Sequence, residues 1–153
     1  MIDLNDLLEQ VWPMATQQAV PTESVSLNNA LGRVLAQDVF SSLNVPQHDN
    51  SGMDGYAVCC TDIQPSRRFQ VSQRVPAGAS PQPLQPGTVA RIFTGAPIPP
   101  GADSVVMQED VVVNDDGSVT FSALPKSGQW IRRAGEDIAS GQVVLSQGTR
   151  LDA

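Results

Sequence analysis

Three short runs carry the residues that could do chemistry. The first, Pro46-Gln47-His48-Asp49-Asn50-Ser51-Gly52-Met53-Asp54-Gly55-Tyr56-Ala57-Val58, sets Asp49 and Asp54 among turn-forming residues between two extended segments, so it presents carboxylate oxygens from loop backbone. The second starts at Arg91-Ile92-Phe93-Thr94-Gly95-Ala96-Pro97 and continues through Pro99-Pro100-Gly101 to Val105-Val106-Met107-Gln108-Glu109. It reads as strand, stiffened loop and strand. Thr94-Gly95 offers a hydroxyl and a bare backbone that a ligand can approach closely, and the prolines limit how far the loop moves. The third, Gln129-Trp130-Ile131-Arg132-Arg133-Ala134-Gly135-Glu136-Asp137-Ile138, sets two arginines beside two acids. Arginine binds phosphate or carboxylate bidentately, and Asp137 can ligate a cation. Each run also has a plainer reading: a β-turn whose Asp caps its own backbone, a proline-rich connection with an incidental threonine, and a surface ion-pair network worth little.

Charge narrows the chemistry. Sixteen acids against nine basic residues give a net charge of −7, which repels DNA, RNA and acidic lipid surfaces. Nucleic acid and membrane are therefore not expected partners. An acidic site can face an anionic ligand only through a bridging hard cation such as Mg²⁺, held by one or two carboxylates plus ligand oxygens. The cysteines, Cys59 and Cys60, are adjacent, which opposes an unstrained disulfide, and a single histidine, His48, leaves too few spaced ligands for structural zinc. The amino terminus, Met1-Ile2-Asp3-Leu4-Asn5-Asp6, is acidic where a signal would be basic, which points to the cytoplasm.

The elements that must position these runs are short. At 153 residues, 41% hydrophobic and 16% charged, the chain can form one ordinary domain or two small ones. Leu4, Leu7, Leu8, Val11 and Ala15 recur at helical spacing behind a capping Asp3. Pro13 should kink or end that helix near Trp12, with continuation through Gln17 less secure, and its apolar stripe should cover a core or a partner subunit. A brief turn or helix at Asn28-Asn29-Ala30-Leu31 should stop at Gly32. Twelve glycines and twelve prolines, about one residue in six, favour many reversals. Between those reversals the sequence predicts strands at 56–58, 69–72, 88–93, 104–107, 110–113, 118–121 and 142–145. Asn114-Asp115-Asp116-Gly117 reads as a hairpin turn with a solvated acidic tip.

Asp49-Asn50-Ser51-Gly52-Met53-Asp54-Gly55-Tyr56-Ala57-Val58 resembles the signature of the molybdopterin molybdotransferase family, which includes MoeA and the E domain of gephyrin. The usual form has Ala at Gly52 and an apolar or aromatic residue at His48. Thr94-Gly95-Ala96-Pro97 with Val105-Val106-Met107-Gln108-Glu109 resembles a second family signature, and the Arg-X-X-Gly-Glu-Asp pattern ending at Asp137 a third. The similarity runs from about Leu27 to Leu151.

The resemblance implies a mainly β chain with a short amino-terminal helix, α+β overall. A β-barrel-like domain, 46–135, would be inserted into an elongated dimerisation-type domain formed by 1–45 and 136–153. It also implies insertion of molybdate into adenylylated molybdopterin with release of AMP, assisted by Mg²⁺, in a homodimer that contacts the molybdopterin adenylyltransferase. Carried over position by position, Asp54, Thr94 and Asp137 are the catalytic candidates. Asp54 would bind the metal or orient a water, Asp137 would bind the metal or help to place the substrate, and Thr94 would hydrogen-bond a molybdate or phosphate oxygen. Asp49, Ser51 and Glu109 also match the motifs, yet each has a credible role in shaping its own loop. Pterin-binding residues would lie in an α/β domain beyond Ala153, so this chain alone is expected to lack turnover. A non-catalytic dimerisation or scaffold module is the alternative from a different class.

Overall fold

A computed structural model of the chain describes residues 3–16 and 21–152. By contact the residues group into two units, Met1–Val39 with Leu145–Ala153, and Phe40–Val144. One α-helix, α1 (Leu4–Thr16), precedes strands β1 (Val39–Phe40), β2 (Asn50–Ser51), β3 (Gly55–Val58), β4 (Arg68–Phe69), β5 (Val71–Val75), β6 (Val89–Ile92), β7 (Ser104–Met107), β8 (Val111–Val113), β9 (Val119–Phe121), β10 (Ile131–Arg132) and β11 (Val143–Leu145). The chain is mainly β with one α-helix among the described residues.

In the first unit, Asp3 caps α1 as its sequence predicts: its carboxylate accepts the Asn5 amide and its carbonyl the Leu7 amide. Pro13 does not end the helix, which runs on to Thr16. Proline's fixed φ is helical, so near the end of a helix it removes one hydrogen bond without forbidding the last turn. The stripe of Leu4, Leu7, Leu8 and Val11 is exposed. The side chain of Ala15, and Gln17 altogether, lie outside the described residues, as do Met1 and Ile2. A 3₁₀ turn at Leu27–Asn29 leads to Gly32, whose φ of +78° turns the chain as expected. Arg33–Leu151 and Leu35–Thr149 backbone bonds then tie the two halves of this unit together.

In the second unit, alternation sorts the core onto two faces of a four-stranded sheet ordered β5-β6-β3-β7. Tyr56, Val58, Val89 and Val106 pack with Phe69, Val119 and Phe121 of a three-stranded sheet ordered β4-β9-β8. Rings close this layer edge to face, Phe121 lying 6.5 Å from Tyr56 and 5.6 Å from Phe69. On the opposite face Ala57, Ala90, Ile92 and Val105 pack with Val75 and Ala96, and Ile98 and Ile131 cover them in part.

Two expectations fail here. The sheets do not close into a barrel, because each outer edge of the large sheet is met by a loop instead. Gln73's amide exchanges two hydrogen bonds with the Gln82 backbone beside β5, and Val105 of β7 donates to the Gln129 carbonyl. The strand expected at 69–72 breaks at Gln70, so that Phe69 joins the small sheet and Val71 the large one. β5 then pairs in parallel with β6, a non-local choice that alternation cannot reveal. The hairpin 114–117 forms as predicted, with Gly117 at φ +78° and Asp116 held by Ser118 and by Arg68 at 3.3 Å. Cys59 and Cys60 are free thiols. Among the described residues no helix is long and apolar enough to cross a membrane.

Candidate active site

The first run does not fold as a free turn. Asn50 and Ser51 form β2 and pair with Arg132 and Ile131 of β10, while Gly52, which is not at positive φ, donates its amide to the Trp130 carbonyl at 2.8 Å. Trp130 itself lies in the left-handed region at φ +55°, a strained conformation that aims that carbonyl at Gly52. The other side of β2 meets the second run, since Ser51 accepts the Gly95 amide and donates its own to Ala96. Ser51 also shapes its own loop, its hydroxyl donating to the Met53 carbonyl at 2.5 Å and accepting the Met53 amide at 3.3 Å. All three runs therefore meet along one short strand.

At that junction Asp54 and Thr94, forty positions apart, form a clasp. The Thr94 amide and hydroxyl both donate to Oδ1 of Asp54 at 2.8 Å. These two bonds, the amide first, hold the Asp54 carboxyl below its ordinary value of 3.8, with Arg91 adding a smaller effect. No described residue hydrogen-bonds Oδ2, so one oxygen is left to meet a cation or water. Because the Thr94 hydroxyl spends its only proton on Asp54, an oxyanion would have to compete for that proton, whereas the hydroxyl's lone pairs are free to accept.

Asp137 is placed differently. Both its oxygens accept from Nη2 of Arg132 at 2.7 Å, and no hydrogen bond joins it to Asp54 or Thr94. Its partner Arg132 sits on β10 opposite Asn50 of β2, and no described contact carries on from there to Asp54 or Thr94. Among the described residues there is no group of three or more His, Cys, Asp or Glu that could cage a metal. The donor set suits a hard cation that takes one or two carboxylates and completes its shell with ligand oxygens, with Asp54 as the open ligand and Asp137 already charge-paired.

Asp49 does more than shape its own loop. Its carboxylate accepts the Ala134 amide at 2.9 Å and Nη1 of Arg133 at 2.5 Å, 84 positions away, so it fastens the first run to the third. The Ala134 amide is the main reason its carboxyl lies below the ordinary value. Glu109 accepts from the Gln108 side chain at 3.1 Å and touches none of the three catalytic candidates by hydrogen bond. A concavity of about 380 Å³ flanks the clasp, lined by Gln47, His48, Asn50, Gly78, Ser80 and Gly95. It contains no carboxylate.

The family model described as the MoeA N-terminal region, domains I and II, matches residues 2–153. This chain belongs to that family. The chain is 49% identical over 146 residues to a molybdopterin molybdenumtransferase of Haemophilus influenzae, a match covering 95% of the chain and 35% of the relative. A Nostoc protein of the same name is 43% identical over 138 residues, covering 86% of the chain and 31% of that protein. The solved molybdopterin biosynthesis MoeA protein of Pyrococcus horikoshii superposes with a TM-score of 0.82 at 32% identity, covering 99% of this chain and 40% of that one. The chain thus spans about a third of the length of these curated relatives.

Proposed function

We propose that this chain is the amino-terminal part of a molybdopterin molybdenumtransferase, which inserts molybdate into adenylylated molybdopterin with release of AMP in the cytoplasm. The observation that carries the reading is the Asp54–Thr94 clasp, assembled from two family motifs and leaving one carboxylate oxygen open. In this reading the catalytic residues are Asp54, Thr94 and Asp137. Thr94 fixes the carboxylate of Asp54, and Asp137 holds Arg132 at the rim, where a guanidinium can meet an anionic group. Mg²⁺ would be held by Asp54 together with substrate oxygens, and by Asp137 where it is released from Arg132; it would neutralise the oxyanion and orient it. Asp54, whose carboxyl lies below its ordinary value of 3.8, is ionised at neutral pH as that role requires.

The arrangement of domains proposed is an inserted β domain, 46–135, within an elongated part made from 1–45 and 136–153. Its support is that every fully buried residue described lies between Ser51 and Phe121. The reacting pterin would be held by regions of the longer protein, so this chain alone would not turn over. Dimerisation, and contact with the molybdopterin adenylyltransferase that supplies the substrate, belong to the same reading. The exposed apolar face of α1 also favours a second one, in which the chain serves as an assembly module without chemistry.

The two separate on Asp54→Asn in the longest natural form of the protein, with molybdenum insertion and dimerisation measured independently. Asn keeps an acceptor for Thr94 but loses the charge. Loss of insertion with an intact dimer is expected, whereas unchanged insertion would remove Asp54 from catalysis and favour the assembly module.

A further inference from the structure

We propose that Arg91 is the positioning residue of the Asp54–Thr94 clasp, a role that rests on the catalytic reading above. Arg91 sits on β6, opposite Tyr56 of β3. Its Nη1 donates to the Gly55 carbonyl at 2.8 Å and to the Ile92 carbonyl at 3.2 Å, and its Nη2 to Oε1 of Gln108 at 2.6 Å. These three acceptors flank the clasp. Gly55 follows Asp54 directly, Ile92 ends β6 two residues before Thr94, and the Gln108 amide donates to the Asp54 carbonyl at 3.0 Å. One planar fork thus grips the chain after Asp54, the chain before Thr94, and the residue that pins the Asp54 backbone.

Two further observations separate this from an ordinary surface arginine. Arg33, Arg68, Arg132 and Arg133 all form ion pairs with carboxylates, whereas Arg91 spends its donors on neutral oxygens, so what these hydrogen bonds supply is direction. The guanidinium is also fixed in its plane by aromatic rings, lying 5.3 Å from the Tyr56 centroid and 4.5 Å from that of Phe93, the residue adjoining Thr94. Arg74 lies 4.7 Å from the same Phe93 centroid and further restrains that ring. Lysine can replace the charge but not the fork.

The test compares Arg91→Met, Arg91→Lys and Asp54→Asn in the longest natural form of the protein, and reads amide hydrogen exchange of the same variants. Arg91→Met is expected to lower kcat for molybdenum insertion about 10- to 100-fold, the scale of a misplaced catalytic group, while KM for molybdate moves less than about threefold. Arg91→Lys should fall between it and the parent. Exchange at the Thr94 amide, which reports the bond to Asp54, should quicken at least about tenfold, with the amides of Ala57 and Ala90 unchanged. Unchanged Thr94 exchange, or a uniform rise across the sheet, would overturn the proposal, as would an unaltered kcat in a protein that Asp54→Asn inactivates. If Asp54→Asn leaves insertion intact, the catalytic reading fails while the exchange result still judges Arg91. Should Arg91→Met not fold, Arg91→Lys carries the same comparison.

Discussion

The unit Phe40–Val144 and the unit Met1–Val39 with Leu145–Ala153 use similar apolar residues to opposite ends. The first buries Phe69, Phe121, Ile92 and a set of valines to 1% exposure or less. The second buries no described residue, and Leu4, Leu7, Leu8 and Val11 stay 47–67% exposed. A hydrophobic residue thus stabilises in proportion to the water it sheds and not to its type. It also explains where the candidate site lies: a clasp held to 2.8 Å needs backbone that a packed sheet keeps still.

Core truncation tests this contrast most severely. Phe121→Ala, which removes a ring packed against both Tyr56 and Phe69, should cost about 3–5 kcal/mol in urea unfolding, and Leu7→Ala on α1 less than about 0.5 kcal/mol. A comparable cost at Leu7 would mean that the helix face is covered in solution. Next come two glycines close together in one motif. A Cβ on Gly55 would lie 1.9 Å from the Val106 carbonyl oxygen, so Gly55→Ala should separate β3 from β7 and cost about 3 kcal/mol or more. On Gly52 the nearest atom would be the Trp130 carbonyl oxygen at 3.4 Å, and thermal melts of Gly52→Ala should stay within about 0.5 kcal/mol of the parent.

Smaller effects follow from titration. Asp49→Ala should cost about 1 kcal/mol at neutral pH by freeing the third run. A carboxyl with a lowered folded pKa adds stability that is present above its unfolded value, near 3.8, and is lost as pH falls through the folded value. The gap between parent and Asp49→Ala should therefore close in acid unfolding below that range. Cys60 works in the other direction. Burial pushes its thiol from 9.0 up to about 11, so between those values the unfolded chain has already released a proton that the folded chain keeps. Stability should decline from pH 9 to 11, and the decline should be shallower in Cys60→Ser, as followed by chemical denaturation at each pH.

Much of the fold was readable where the signal is local. The 104–107 strand, the 114–117 hairpin, the Asp3 cap and the turn at Gly32 all follow from alternation or from residues that favour one backbone conformation. A glycine after Asp54 reads locally as a turn signal, yet what requires Gly55 is the approach of β7's backbone. The break at Gln70 and the parallel β5–β6 pair had no local signal, because both depend on which distant strand wins each edge. In the site, motif membership singled out Asp54 and Thr94. Nothing in their spacing indicates that one donates twice to the other, that Asp49 reaches Arg133, or that Arg91 braces the pair.

The alternating faces, the reversals, the acidic balance and the family motifs are all legible in the chain's residues, because they depend on residue type and near neighbours. Which carboxylate stays open, which is paired and which fastens two loops emerges only on folding. A carboxylate accepts from whichever donors the folded backbone brings within about 3 Å, and those donors belong to distant stretches of chain.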